Sequence, residues 1–186
     1  NKSGAALGKT YVLGCFMSES AGSTIFQDAG FKPKALPQTS ATATITTAGN
    51  GTAAHGNASN TKITLTSTDG TIVDYFISDT SNGDAGVGHV ANLGVVSAGD
   101  TLDNGATATL TAGATGIAVS YDVTGGTTQN GFLALLKAAI EHANGHNGKI
   151  LVSAVPGAAA EPQSITITQA TPGIPGNKTN SENIAG

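Results

Sequence analysis

NGFLALLKAAIEHANGHNGKI, residues 130–150, is the one stretch of this 186-residue chain whose apolar side chains recur with a helical period. Phe132, Leu135, Leu136, Ala139, Ile140 and Ala143 fall at i, i+3, i+4, i+7, i+8 and i+11, which predicts a single apolar stripe on a helix near residues 130–144. Thr127, Thr128 and Asn130 are candidate N-caps, since a side-chain oxygen there can accept from an unbonded backbone N–H. Lys137 and Glu141 form an i,i+4 pair on the polar side. Asn144-Gly145 is expected to stop the helix with a left-handed residue. A helix this short is marginal alone in water, so its stripe must dock on something.

What surrounds it reads as β. Residues 41–47 (ATATITT) and 61–68 (TKITLTST) alternate with period two. In the second run Ile63 and Leu65 are expected to face in, and Lys62, Thr64 and Thr66 out. Asp69-Gly70 is a two-residue turn signal, and residues 71–78 (TIVDYFIS) form the returning strand, so 61–78 predicts a β-hairpin. Residues 50–60 and 79–88 are loops by composition. Further strands are expected at 89–96, 106–111 and 117–123, with a turn at Asp103-Asn104-Gly105. In the last of these, Ile117, Val119, Tyr121 and Val123 share a face. After the helix come strands at 149–155 and 163–169, the latter with Ile165 and Ile167 facing in, then a turn forced by PGIPG at 172–176. The fold class is therefore α+β, mainly β: a small Thr-rich sheet or sandwich with one helix packed on it.

Residues 1–40 differ from the rest. They hold three of the five Phe residues, the only Met and the only Cys, and end in the two-proline stretch KPKALPQ. They read either as an arm that packs on a neighbouring subunit or as an added element of the home domain. Tyr11, Val12, Leu13, Phe16, Met17, Phe26 and Phe31 are the candidate subunit contacts. The organisation is then an N-terminal arm or extension at 1–40, a β-rich module at 41–178 and a C-terminal tail at 179–186.

Composition narrows the function. Charged residues make up 11% of the chain, against about 25% in an ordinary soluble domain. Aromatics are 4%, and there is no Trp. Small apolar side chains each bury little area, so the core is thin and burial against other copies is a natural remedy. A net charge of −4 with only eight Lys+Arg argues against nucleic-acid binding. No apolar run approaches the ~20 residues of a membrane span, and the N-terminus lacks the features of a signal peptide. Cys15 is alone, which rules out an intrachain disulfide and suits a reducing cytosol.

Candidate chemistry is sparse. His142 and His146 are four apart and could share a zinc ion on a continuous helix. Gly145 interrupts that helix, and no second carboxylate or Cys is spaced to complete a tetrahedral site. The pair reads instead as a helix C-terminus, where His complements the dipole. DTSNGD at 79–84 lacks the ligand phase and closing Glu of a calcium loop. Cys15 sits in an apolar run, as an inert buried thiol does. His55 and His89 stand in or beside Gly-rich loops, and the sequons at Asn1, Asn50, Asn57 and Asn177 are what an Asn- and Thr-rich chain produces by chance. No catalytic set, metal site or cofactor is expected.

Two phrases carry a resemblance. AIEHANGHNG at 139–148 and ITITQATPGIPGN at 165–177 are similar to phrases in a β-rich module of tailed-bacteriophage structural proteins, marine and freshwater ones especially. The likeness covers roughly residues 60–177, and it leaves 1–40 outside. It implies a non-enzymatic virion protein present in many copies, as part of a capsid, decoration, tail or fibre protein, whose partners are its own copies and other virion proteins. Modest size, one compact module and an N-terminal arm favour a decoration protein on the capsid surface. The resemblance implies assembly into the virion after synthesis in the host cytoplasm, with no nucleic acid or membrane as partner. Alternatives are a tail, fibre or tube component, and a self-polymerising extracellular β filament or surface-layer protein. A carbohydrate-binding appendage is disfavoured by the absence of Trp and the presence of only three Tyr residues.

Overall fold

A computed structural model describes residues 38–47, 61–79, 90–102, 105–122, 127–157 and 162–182. The expected contacts Tyr11, Val12, Leu13, Phe16, Met17, Phe26 and Phe31 lie outside these, as do Cys15, His55, His89 and Val123. Eight strands and one α-helix are found among the described residues. They are β1 (Thr42–Thr47), β2 (Lys62–Thr66), β3 (Ile72–Asp79), β4 (Val95–Val96), β5 (Thr115–Tyr121), α1 (Gln129–Glu141), β6 (Ile150–Val152), β7 (Gln163–Gln169) and β8 (Ser181–Glu182). The fold is α+β and mainly β, as its sequence predicts.

The strands form two sheets. One has the order β4-β5-β3-β2-β8, the other β1-β7-β6. β3 and β5 run parallel, from Val73 beside Thr115 to Asp79 beside Tyr121; the remaining pairs are antiparallel. The larger sheet is buried on both faces. On one face Ile63, Leu65, Val73, Tyr75, Ile77, Ile117, Val119 and Tyr121 share a core with Leu133, Leu136, Ala139 and Ile140 of α1. Ile150, Ile165 and Ile167 of the smaller sheet complete it. On the other face Phe76 and Ala118 meet Val96 of β4 and Leu102 and Ala108 from the segment between β4 and β5.

That second core explains where the period-two reading fails. Thr64, expected to face solvent, is buried. Its hydroxyl donates to Asp74 Oδ1 at 2.7 Å, while Lys62 Nζ reaches Asp74 Oδ2 at 2.8 Å and the carbonyl of Thr109 at 2.8 Å. The N–H of Thr111 donates to the same carboxylate at 2.6 Å. A carboxylate this buried needs partners, and the polar face of β2 supplies them. Residues 106–111 form no strand: an isolated bridge joins Thr101 to Thr107, and the rest of the run contributes Ala108 to the core and Thr109 and Thr111 to the Asp74 network. Of the expected strand at 89–96, only Val95 and Val96 among the described residues pair as a strand.

The hairpin forms with Thr66 opposite Ile72. Its loop holds Thr68, Asp69 and Gly70 rather than two residues. Gly70 N–H donates to the carbonyl of Ser67, Ser67 N–H donates to that of Thr71, and Gly70 sits at φ 89°, where only glycine is unstrained. The helix is capped by Thr128, whose hydroxyl accepts from Gly131 N–H at 3.3 Å. Its buried face is Leu133, Leu136, Ala139 and Ile140, with Phe132 and Leu135 half-buried at the margin. Leu133 thus belongs to the stripe in place of Ala143, which is exposed. The helix ends at Glu141, and the left-handed residues are Asn147 and Gly148, not Asn144-Gly145. Gly145 is needed for another reason: a Cβ there would sit 2.0 Å from the carbonyl oxygen of Ala139. Residues 179–186, expected as a tail, contain β8, which pairs Ser181 with Thr64 and Glu182 with Ile63.

Candidate assembly surface

The segments 139–149 and 165–177 converge on one place, the 66–71 turn. From the first segment His146 is fully buried; its Nδ1 lies 2.5 Å from the Tyr75 hydroxyl and its Nε2 3.4 Å from the carbonyl of Thr71. These contacts suit a neutral ring that donates from Nε2 and accepts at Nδ1. Burial pushes its pKa below the ordinary value, and Lys149 acts in the same sense, against the Thr71 carbonyl and Asp69. Burial likewise raises the Tyr75 phenol. The same segment supplies Lys149, whose Nζ lies 2.7 Å from Asp69 Oδ2 and 2.7 Å from Thr71 Oγ1. That hydrogen bond, with those from Ser67 and Thr71, holds the Asp69 carboxyl well below the usual range.

From the second segment, Gln169 accepts from Thr68 N–H at 2.9 Å and donates to the carbonyl of Thr66 at 2.8 Å. The hydroxyl of Thr68 also donates to the carbonyl of Thr171, at 3.3 Å. His142, the other half of the supposed metal pair, accepts from Asn144 N–H at 3.1 Å. The two rings face different partners. Among the described residues no group of three His, Cys, Asp or Glu side chains is placed to hold an ion.

The Asp74 carboxyl is equally committed. Burial raises its pKa, but Lys62, the Thr111 N–H and the Thr64 hydroxyl outweigh that and hold it below its ordinary value. A groove of about 320 Å³ runs between Ala41 and the start of β1, Ile150, Ile167 and the segment 176–180. Its one titratable side chain is Lys178. At 13 residues α1 is too short to cross a bilayer.

What the described surface does offer is an edge. The larger sheet ends on both sides in two-residue strands, β4 and β8. One edge of the smaller sheet is the three-residue β6, where Lys137 Nζ donates to the outward carbonyl of Val152 at 3.0 Å. Short strands and a lysine are ordinary defences against further pairing. β1 has neither. It is six residues long, TATITT, with Thr42, Ala43, Thr44 and Thr46 exposed. The N–H of Gln169 donates to the carbonyl of Ala41, which fixes the phase of the ladder. Ala43, Ile45 and Thr47 bond to β7, so the N–H and C=O groups of Thr42, Thr44 and Thr46 point outward.

The outer face beside that edge is hydroxylic. Thr42, Thr44 and Thr46 stand opposite Thr168, Thr166 and Ser164, and Thr46 Oγ1 lies 2.8 Å from Ser164 Oγ. Leu151 of β6, 51% exposed, adds an apolar residue on the same face. Sequence reading does not single out β1, because strand order and edge position are not local properties.

Comparison with known protein families, curated proteins and solved structures finds no match for this chain.

Proposed function

We propose that this protein is a non-enzymatic structural protein of a tailed-bacteriophage virion, present in many copies on the capsid surface. The observation that carries the reading is the β1 edge. A protein that works as a dispersed monomer needs charge, prolines or short strands along its open edges. Here, among the described residues, a six-residue uncharged edge stands open in a chain with 11% charged residues. Such an edge suits a working state in which copies lie side by side.

The phrases shared with bacteriophage modules add to this. Their polar residues, His146 and Gln169, fasten the 66–71 turn, and Lys149 beside the first phrase does the same. They are scaffold, which is the role expected of a module reused in several virion parts. Capsid decoration fits the modest size of the β-rich module; a tail or fibre component is the second reading within the same class.

The test is immunogold labelling, with peptide mass spectrometry, of purified virions that carry the gene. Regular label over the capsid is the expected result. Label confined to the tail or fibres would move the protein to the second reading. Particles that contain none of the chain would overturn the proposal.

A further inference from the structure

We infer that β1 is a self-pairing strand: two copies join antiparallel about a two-fold axis through Thr44, fusing their small sheets into one. This rests on the many-copy reading above and names the partner at the edge.

The geometry is self-complementary. The outward groups belong to Thr42, Thr44 and Thr46, evenly spaced about Thr44. Laid against its own copy, the strand puts Thr44 opposite Thr44 and Thr42 opposite Thr46 of the second copy. In each of these pairs both residues present N–H and C=O toward the partner, so each pair exchanges two hydrogen bonds. A one-residue slip would oppose outward groups to inward ones and lose them all. The joined sheet has the order β6-β7-β1-β1-β7-β6, with Ile45 of each copy on the core side and the threonines on the outer face.

Charge selects the same occupant. Residues 38–47 contain no Asp, Glu, Lys or Arg, and neither do Ser164, Thr166 and Thr168 beside them. An acidic or basic peptide would lie on this edge without a counter-charge, whereas a second β1 meets it neutral on neutral. β1 is also already extended and held by β7, so pairing costs little ordering.

Area then sets the strength. Two six-residue edges of Thr, Ala and Ile cover far less than the ~1,200 Å² that stable interfaces reach. The contact is weak between two dissolved molecules and gains strength where copies are held together by other contacts.

Cysteine cross-linking tests the register. In a Cys15→Ser background, Thr44→Cys should oxidise to a disulfide dimer more than ~10-fold faster than Ala134→Cys on the exposed helix face. The paired Cα atoms would be about 5.5 Å apart, within bridging range. Thr42→Cys alone should resemble the Ala134 control, and a mixture of Thr42→Cys with Thr46→Cys should cross-link. Equal rates at Thr44 and Ala134, or fast cross-linking of Thr42→Cys to itself, would overturn the inference. Thr44→Pro is the blocking variant, because its N–H points away from β7 and no ladder bond within the molecule is lost. It should fold and lower the concentration-dependent mass measured by light scattering. If Thr44→Pro assembles as well as the parent, the edge inference falls. The virion reading stands or falls separately, on whether particles contain the chain.

Discussion

β3 and β1 are both among the longer strands, yet they sit at opposite extremes of this molecule. β3 lies between β5 and β2, and its side chains from Val73 to Ser78 are buried on both faces. Among the described residues β1 has a neighbour on one side only, and most of its side chains are exposed. The difference shows what holds a chain poor in aromatics together. Stability is concentrated around β3, where the helix, the smaller sheet and the β4–β5 segment all converge. β1 adds Ile45 to that core and otherwise presents backbone to the outside. Changes near β3 should therefore unfold the protein, whereas changes on β1 should leave the fold and alter what it associates with.

The largest effect is expected at Leu136. It is fully buried where α1 meets the sheets, and Leu136→Ala leaves a cavity that a thin core cannot refill. A loss of about 4 kcal/mol is expected in urea unfolding. A loss below ~1 kcal/mol, the size of an exposed substitution, would mean the helix does not anchor the sheets.

Asp74→Ala should follow, at about 3 kcal/mol, because it strands partners rather than merely removing a contact. Lys62, whose side chain is 15% exposed, would lose its counter-ion, and the Thr64 hydroxyl and Thr111 N–H would lose their acceptor. The variant should also loosen the 105–111 segment, visible as faster hydrogen exchange there. If the segment keeps its protection, the network is not what fixes it.

The third prediction concerns pH. Burial favours the neutral His146 ring, so the folded protein binds this proton less readily than the unfolded chain, whose histidine titrates near 6.5. As pH falls through 6.5 the unfolded state takes up the proton first, and stability declines until the pH passes below the depressed folded value. This window opens at a higher pH than that of Asp74, whose contribution is present above 3.8 and is lost as pH falls through its lowered folded value. Chemical denaturation from pH 7.5 downward should show the decline, and His146→Gln should flatten it. An equal slope in both proteins would assign the decline elsewhere.

Sequence made the elements legible where one face meets one core. β7 and the helix each carry a clean period, and the Asp69-Gly70 signal places the hairpin turn to within a residue. It misled where a strand is buried twice. Thr64 reads as solvent-facing because nothing local reveals that Asp74 lies across from it and needs a donor. β8 is two residues long, too short for any pattern, and is found only by its pairing with β2. The helix end was misplaced because Gly145 is required by the close approach of Ala139, not by its own φ. As for the surface, TATITT and SITIT read alike; only strand order makes one an edge and the other a centre.

The smallest effect in energy is the sharpest test of the comparison. In the dispersed protein the amides of β1 should exchange with solvent in alternation. Ala43, Ile45 and Thr47 donate to β7 and should be protected, while Thr42, Thr44 and Thr46 point outward and should exchange at nearly the open-chain rate. Along β3, which is paired on both sides, adjacent amides should be protected alike. Thr44→Lys should change the folding stability by no more than ~0.5 kcal/mol, as exposed substitutions do. At concentrations where the parent associates, protection should spread to Thr42, Thr44 and Thr46 in the parent and not in the lysine variant, because a charge at the edge would meet its like across the two-fold axis. Alternation that persists unchanged in the associated parent would mean that copies meet through some other surface, and β1 would then be open for a different reason.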